Sequence, residues 1–271
     1  MKKKLSLILA LLLVLALLAA CGKSKETVKI RIAASPTPHA EILAIAKEEL
    51  AKEGYELEIL EYDDYVQPNL VVDSGEVDAN YFQHTPYLTS FNADNGTKVV
   101  SVGLIHYEPF GIYAGKTASL DAVADGAEII IPNDGSNETR ALLLLQQEGL
   151  IKLAEGIDAS SNATIYDIAE NPKNLKITEM DAAQLARSLQ DVDLAVINGN
   201  YALAAGLNAS TNALAVEDAS GDAAQTYANL LGVKAGHEKD PGIQALVKAL
   251  QSDAVRDFIN KTYNGAVVPI F

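Results

Sequence analysis

Strand-like runs alternate with helix-length segments along this chain, and that alternation narrows the fold more than any other feature. Val28-Lys29-Ile30-Arg31-Ile32 alternates apolar and charged residues with the period of a strand. Thr37 and Pro38 read as the cap and first position of a helix with Ile42, Ile45, Ala46 and Leu50 on one face, and Gly54 stops it. Leu57-Glu58-Ile59-Leu60 and Val77-Asp78-Ala79-Asn80-Tyr81 read as the next strands, Thr85 to Asn92 as a helix, and Lys98 to Leu104 and Phe110 to Tyr113 as further strands.

The rhythm then restarts. Ser119 with Asp121 reads as the cap of a short helix, Glu128 to Ile131 as a buried strand, and Glu138 to Glu148 as a helix with its core face at Leu142 to Leu145. A strand near Leu175 to Thr178, a helix from Ala182 to Ser188 and the strand Leu194 to Ile197 follow. Strands separated by helices predict parallel, doubly wound sheets. No repeat and no low-complexity linker divides the chain, so two lobes should share strands across a hinge.

The amino-terminal segment stands apart from this pattern. Lys2-Lys3-Lys4, an apolar run from Leu5 to Ala20 broken by Ser6, and Leu18-Ala19-Ala20-Cys21 together spell a secretory signal that ends in the only cysteine of the chain. A membrane-spanning helix needs about 18 or more apolar residues, and this run is shorter. The ending resembles the bacterial lipobox, in which the cysteine is acylated and becomes the new amino terminus. Residues 1–20 are therefore expected to be removed, with 21–27 as a lipidated tether. Two acyl chains anchor stably where one is marginal, so the protein is expected at the cell membrane, on its extracytoplasmic face.

Charge and cysteine content exclude other classes. Three of the 21 basic residues are signal lysines, which leaves 18 against 36 acidic residues and a mature net charge of −18. Such a surface repels nucleic acid and anionic lipid. Without a second cysteine there is no disulfide framework and no thiolate metal site.

In open α/β sheets, ligands bind beyond the carboxyl ends of the strands. Three segments lie there. Asn80-Tyr81-Phe82-Gln83-His84-Thr85-Pro86-Tyr87-Leu88 is dense in aromatics in a chain with 6% of them, although core packing would also explain it. The polar loop Ile131 to Arg140 leads into a helix, and its guanidinium suits a carboxylate as well as solvent. Asn198 closes an apolar strand, where a simple turn is the alternative.

In their order and spacing, several segments resemble the NlpA family, the MetQ-type methionine-binding lipoproteins that deliver methionine to an ABC importer. They are Pro38-His39-Ala40-Glu41-Ile42, Asp64-Tyr65-Val66, Asp78-Ala79-Asn80 with Phe82-Gln83-His84 and Pro86-Tyr87-Leu88, Pro132-Asn133-Asp134, Arg140 with Leu142 to Gln146, Glu170 to Leu175, and Ala195 to Asn198. The resemblance runs nearly the full mature chain. It implies a type II periplasmic-binding-protein-like fold, two doubly wound α/β sheets joined by two hinge crossings. Lobe one would be 28–106 with 232–271, and lobe two 107–231.

The resemblance also implies roles. Tyr65, Phe82, His84 and Tyr87 would form a side-chain cage, Arg140 the carboxylate clamp, and Asn198 and Asn229 contacts for the polar end of the ligand. The flanks Tyr227 to Leu231 place Asn229 at the second crossing, while Ala33-Ala34-Ser35 and Thr139 depart from many members. The chemistry agrees: a planar guanidinium gives a carboxylate two parallel bonds, amide oxygens take an ammonium, and thioether sulfur packs well on rings. His84 is open between touching ligand and fixing a loop. The implied partners are methionine or a closely related amino acid or methionyl dipeptide, and an ABC permease with its ATPase. The protein itself would be monomeric, with no cofactor and no metal.

Two rivals make different demands. A lipoprotein hydrolase would need a nucleophile elbow, a zinc-protease motif or a free thiol, and none is present. The histidines at 39, 84, 106 and 237 lack metal-ligand spacing. Gly111 to Thr117 is one residue short of a phosphate loop and reads as a hairpin or hinge strand end. An adhesin with a vestigial cleft would not depend on Arg140. The reading is therefore a binding protein and not an enzyme.

Overall fold

A computed structural model describes residues 27–218 and 223–271. The expected signal segment, the lipidated Cys21 and the tether up to residue 26 lie outside the described residues. The first half carries β1 (Val28–Ala34), α1 (Glu41–Lys52), β2 (Tyr55–Glu61), α2 (Gln67–Ser74), β3 (Ala79–His84), α3 (Thr85–Asn95) and β4 (Val99–Tyr107). Next come β5 (Gly111–Ala114), β6 (Glu128–Pro132), α4 (Gly135–Gln147), the short pair β7 (Lys152–Leu153) and β8 (Ile168–Glu170), and β9 (Lys176–Met180). Then follow α5 (Ala182–Ser188), β10 (Leu194–Ile197), α6 (Gly199–Ala204), α7 (Ala209–Asn212), β11 (Ala213–Val216) and α8 (Ala223–Thr226). β12 (Asn229–Lys234), α9 (Pro241–Leu250), α10 (Asp253–Tyr263) and β13 (Val268–Pro269) complete the chain.

Two mixed sheets organise these elements. The larger has the order β13-β4-β12-β3-β1-β2 and the smaller β11-β5-β10-β6-β9. β1 runs parallel to β2 and β3, and β6 runs parallel to β9 and β10, which is the doubly wound core that the alternation predicts. The strands next to the crossings are antiparallel: β12 to β3 and β4, and β5 to β10 and β11. The chain leaves the first sheet after Tyr107 and enters the second at Gly111, then returns after Val216. β12 pairs in the six-stranded sheet along its length, so that sheet takes the chain back at Asn229, ahead of the expected boundary at 232.

Helices cover both faces of each sheet because each strand alternates its side chains between them. On one face of the large sheet Ile32, Leu57, Ile42, Leu50, Leu246 and Ile259 form a buried cluster with α1, α9 and α10, and Val72 and Leu88 from α2 and α3 pack on the other. In the small sheet Ile129, Ile131 and Val196 meet Leu142 and Leu145 of α4, while Leu185 of α5 packs the reverse face. Each fully buried Leu or Ile contributes about 1.5–3 kcal/mol. Among the described residues no helix is long and apolar enough to cross a membrane.

Three expectations are corrected. Thr37 does not cap α1: its backbone is extended, and Pro36–Ala40 forms a separate kinked turn, so regular helix begins at Glu41. Ser119 makes no side-chain cap bond to the three-residue turn Leu120–Ala122. The polar segment before Arg140 is largely helix, because Asp134 caps α4 and accepts a hydrogen bond from the Asn137 backbone N–H. Gly54 ends α1 as expected, with a φ of +90° that other residues rarely adopt.

Candidate ligand-binding site

The carboxyl ends of β3, β6 and β10 converge on one narrow cavity between the two sheets. All seven side chains singled out from the sequence line it: Tyr65, Phe82, His84, Tyr87, Arg140, Asn198 and Asn229. Gln83, Glu108, Asn137, Gly199 and Asn200 line it too.

The apolar wall belongs to the six-stranded half. The Tyr65 ring lies 5.8 Å from Phe82 and 5.6 Å from Tyr87, and Phe82 lies 5.9 Å from Tyr87. The Tyr87 hydroxyl donates to the Tyr65 carbonyl at 2.9 Å, which holds the loop after β2 against α3. Asp64 steadies the same loop by accepting from the backbone N–H groups of Val66 and Gln67 at 2.7 Å each. From the opposite half Asn200 accepts the Tyr65 hydroxyl at 2.5 Å.

Both ring nitrogens of His84 are engaged. It sits at the junction of β3 and α3, where its Nδ1 accepts the Tyr87 backbone N–H at 3.2 Å and caps the helix. Its Nε2 donates to Asn137 Oδ1 at 3.1 Å, across the cavity. Burial, with the nearby Arg140 charge, lowers its pKa to about 3, so the ring is neutral. Asn137 is the hub of the polar wall. Its Nδ2 is held by both Asp134 carboxylate oxygens at 3.0 Å, which leaves Oδ1 to accept from His84 and from Asn198 Nδ2 at 2.9 Å. Asn198 Oδ1 is buried and has no hydrogen-bond partner among the described residues.

Arg140 is 5% exposed. Its Nε donates to Glu217 Oε2 at 2.8 Å, and Nη2 donates both to Glu217 Oε1 and to the Glu108 carbonyl, the latter at 2.9 Å. Its guanidinium carbon lies 4.2 Å from the Tyr227 ring centre and 4.8 Å from that of Phe110. Burial opposes its charge, but the Glu217 carboxylate more than offsets that and holds the pKa above the usual arginine value.

Behind Asn229 lies a second polar network. His39 Nε2 donates to Asn229 Oδ1 at 2.9 Å, His106 Nε2 donates to Glu108 Oε1 at 2.8 Å, and the Tyr81 hydroxyl meets His106 Nδ1. Burial lowers the pKa of His39 to about 4 and of His106 to about 3. Burial raises that of Glu108, with His39 and Arg140 pulling it back. The fold thus gathers His39, His106 and Glu108 with ligand-capable atoms within 4.8 Å of one another, a grouping their sequence spacing conceals. The Nε2 atoms of both rings are engaged in hydrogen bonds, and the trio reads as a network that holds Glu108 at the cavity wall.

Asn137 carries a local signal: it precedes Arg140 by three residues, so the two share a helix face. Glu108, Gly199 and Asn200 have none, because only the crossing of the two sheets brings them together.

Comparison with known proteins gives matches along nearly the whole described chain. Residues 30–271 match the family described as NlpA lipoprotein. The D-methionine-binding lipoprotein MetQ of Salmonella typhi is 41% identical, over 93% of this chain and 92% of its own length. The methionine-binding lipoprotein MetQ of Bacillus subtilis is 40% identical, over 96% of this chain and 97% of its own. The solved structure of a nutrient-binding protein from Burkholderia cenocepacia bound to methionine superposes with a TM-score of 0.85 at 47% identity, over 89% of this chain and all of that one.

Proposed function

The chain belongs to the NlpA lipoprotein family, and from that premise we propose that it is an extracytoplasmic, lipid-anchored solute-binding protein that captures methionine for an ABC importer. The observation that carries the reading is the division of one cavity into an aromatic wall and a polar wall whose central charge is Arg140.

The polar wall accounts for both ends of an amino acid. Nε and Nη2 of Arg140 are engaged, so Nη1 is the nitrogen left for the ligand carboxylate. The Asn229 oxygen is turned to His39, which leaves its amide N–H groups for the same carboxylate. Asn198 Oδ1 is an acceptor lacking a donor, and a buried unmade bond costs about 1–3 kcal/mol. An ammonium resting between it and the Glu108 carboxylate relieves that cost. The thioether tail lies among Tyr65, Phe82 and Tyr87, where each sulfur–ring contact contributes about 0.3–1.5 kcal/mol.

His84 acts through Asn137 and does not touch the ligand. Lobe one takes 28–106 with the carboxyl-terminal segment and lobe two the chain between the crossings, and the pairing of β12 from Asn229 onward supports a second boundary near that residue. The permease and its ATPase then receive the ligand from the closed form. No step of this cycle calls for bond making or breaking, so the protein acts as a carrier and not as an enzyme.

Mass spectrometry of the small molecule that copurifies with the protein, followed by calorimetry against a panel of amino acids, tests the reading. Methionine should bind at one site and emerge chemically unchanged. Equal affinity for acidic or basic amino acids, or a hydrolysed product, would overturn it.

A further inference from the structure

Glu217 stands outside the cavity lining, yet it makes more bonds to Arg140 than any other residue. It directly follows β11, where the chain starts back toward the six-stranded sheet, and it is 8% exposed. One carboxylate oxygen accepts the Tyr107 hydroxyl at 2.5 Å, the Phe110 backbone N–H at 3.0 Å and Arg140 Nη2, while the other accepts Arg140 Nε at 2.8 Å. The Glu217 backbone N–H donates back to the Phe110 carbonyl at 3.0 Å. Both passages between the sheets therefore meet at this carboxylate. The guanidinium is gripped along its Nε–Nη2 edge and stacked on Tyr227 and Phe110.

A planar fork held along one edge can present only what remains. We infer that Glu217 is a positioning residue for ligand recognition: it fixes the rotation of the Arg140 plane so that Nη1 faces the ligand carboxylate. This rests on the proposed reading of Arg140 as the carboxylate clamp. The bland alternative is a buried ion pair that stabilises the fold and does nothing for recognition. The two differ in one measurable respect. A positioning residue changes how much the ligand's carboxylate matters, whereas a stabilising residue weakens every ligand alike.

Calorimetry with methionine and with methioninol, the amino alcohol in which CH2OH replaces the carboxylate, reads that difference. The wild-type protein should bind methionine about a hundredfold more tightly than methioninol. In Glu217→Asp the charge is kept but the reach is one methylene shorter. The methionine preference should then fall about tenfold or more, while methioninol affinity stays within about threefold. Tyr107→Phe leaves the ion pair and removes one bond, and it should lower the preference in the same direction by a smaller factor. It carries the test if the aspartate variant does not fold. A preference unchanged in the variants, with both ligands weakened equally or not at all, would overturn the inference and leave the clamp intact. A wild-type protein that did not distinguish the two ligands would overturn the clamp, and the inference with it.

Discussion

At position 199 the fold admits no side chain. A β-carbon there would lie 2.6 Å from Glu108 Oε2 and 2.7 Å from Glu108 Cβ, closer than real contacts allow. Gly199→Ala should therefore push the Glu108 carboxylate out of the cavity wall, with at least about a tenfold loss of methionine affinity by calorimetry and about 1–3 kcal/mol of stability lost to overpacking. Arg140→Lys tests the clamp itself. Lysine keeps the charge but cannot hold Glu217 along an edge and a ligand at the same time. About 1.5–3 kcal/mol of binding should disappear, roughly a ten- to hundredfold rise in Kd. A Kd within threefold of wild type would count against the guanidinium contact to the ligand.

On the scale of single elements, the first turn of α4 links helix capping to recognition. Asp134 accepts from the Asn137 backbone and from its side-chain amide, so one residue both closes the helix and sets the direction of the Asn137 oxygen. Asp134→Ala should lower stability by about 1 kcal/mol as a lost cap and should also weaken methionine binding, because Asn137 is then free to turn. Ser252, which caps α10 by accepting from Val255 far from the cavity, is the comparison. Ser252→Ala should cost similar stability in denaturant titrations and leave Kd unchanged; weakened binding there would break the proposed link.

Elements like these were legible to different degrees. The parallel core strands, and the helices whose apolar faces recur with helical period, follow from local pattern. The seven cavity residues followed from the family's motifs. Thr37 offers a capping cue that the fold does not use, because the pair Thr-Pro says nothing of the kinked turn that intervenes. The antiparallel pairings of β5 and β12 depend on which sheet receives the returning chain, and no local period encodes that. Glu108 was hidden for the same reason, since an acid beside a proline looks like a surface turn until both sheets enclose it.

For the molecule as a whole, hydrogen bonds link the two halves around the cavity, beside a ring contact of 5.0 Å between Tyr65 and Tyr201. Tyr65 donates to Asn200, His84 to Asn137, Ser90 to Asn162 at 3.2 Å, and Tyr201 to the Asp63 carbonyl at 2.8 Å. Hinge opening must break these, and water can replace each at little net cost. Small-angle scattering should thus give a larger radius of gyration without ligand than with saturating methionine, and identical radii would rule out lobe closure as the response to ligand. Acidity acts on the entire fold as well. His39, His84 and His106 are held down at about 4, 3 and 3, so unfolding takes up protons once the pH drops below the ordinary histidine value of 6.5. Their contribution is present above that value and is lost as pH falls toward 4. Glu138 works in the other direction: burial and a hydrogen bond shared with Glu179 raise its pKa to about 8. Its contribution is full below the ordinary value of 4.5 and is lost as pH rises toward 8. Thermal unfolding should show greatest stability near pH 6.5, with Glu138→Gln flattening the alkaline side. A stability that rose steadily from pH 6.5 to 8 would contradict this balance.

Gly111 and Val216 are paired residues on neighbouring strands. The entire five-stranded half therefore starts and finishes at a single point, like a bead on a loop of thread. Exchanging it for its counterpart from a relative would require two chain junctions that lie side by side, which makes the molecule a natural host for chimeras that trade one half of the cavity while keeping the other.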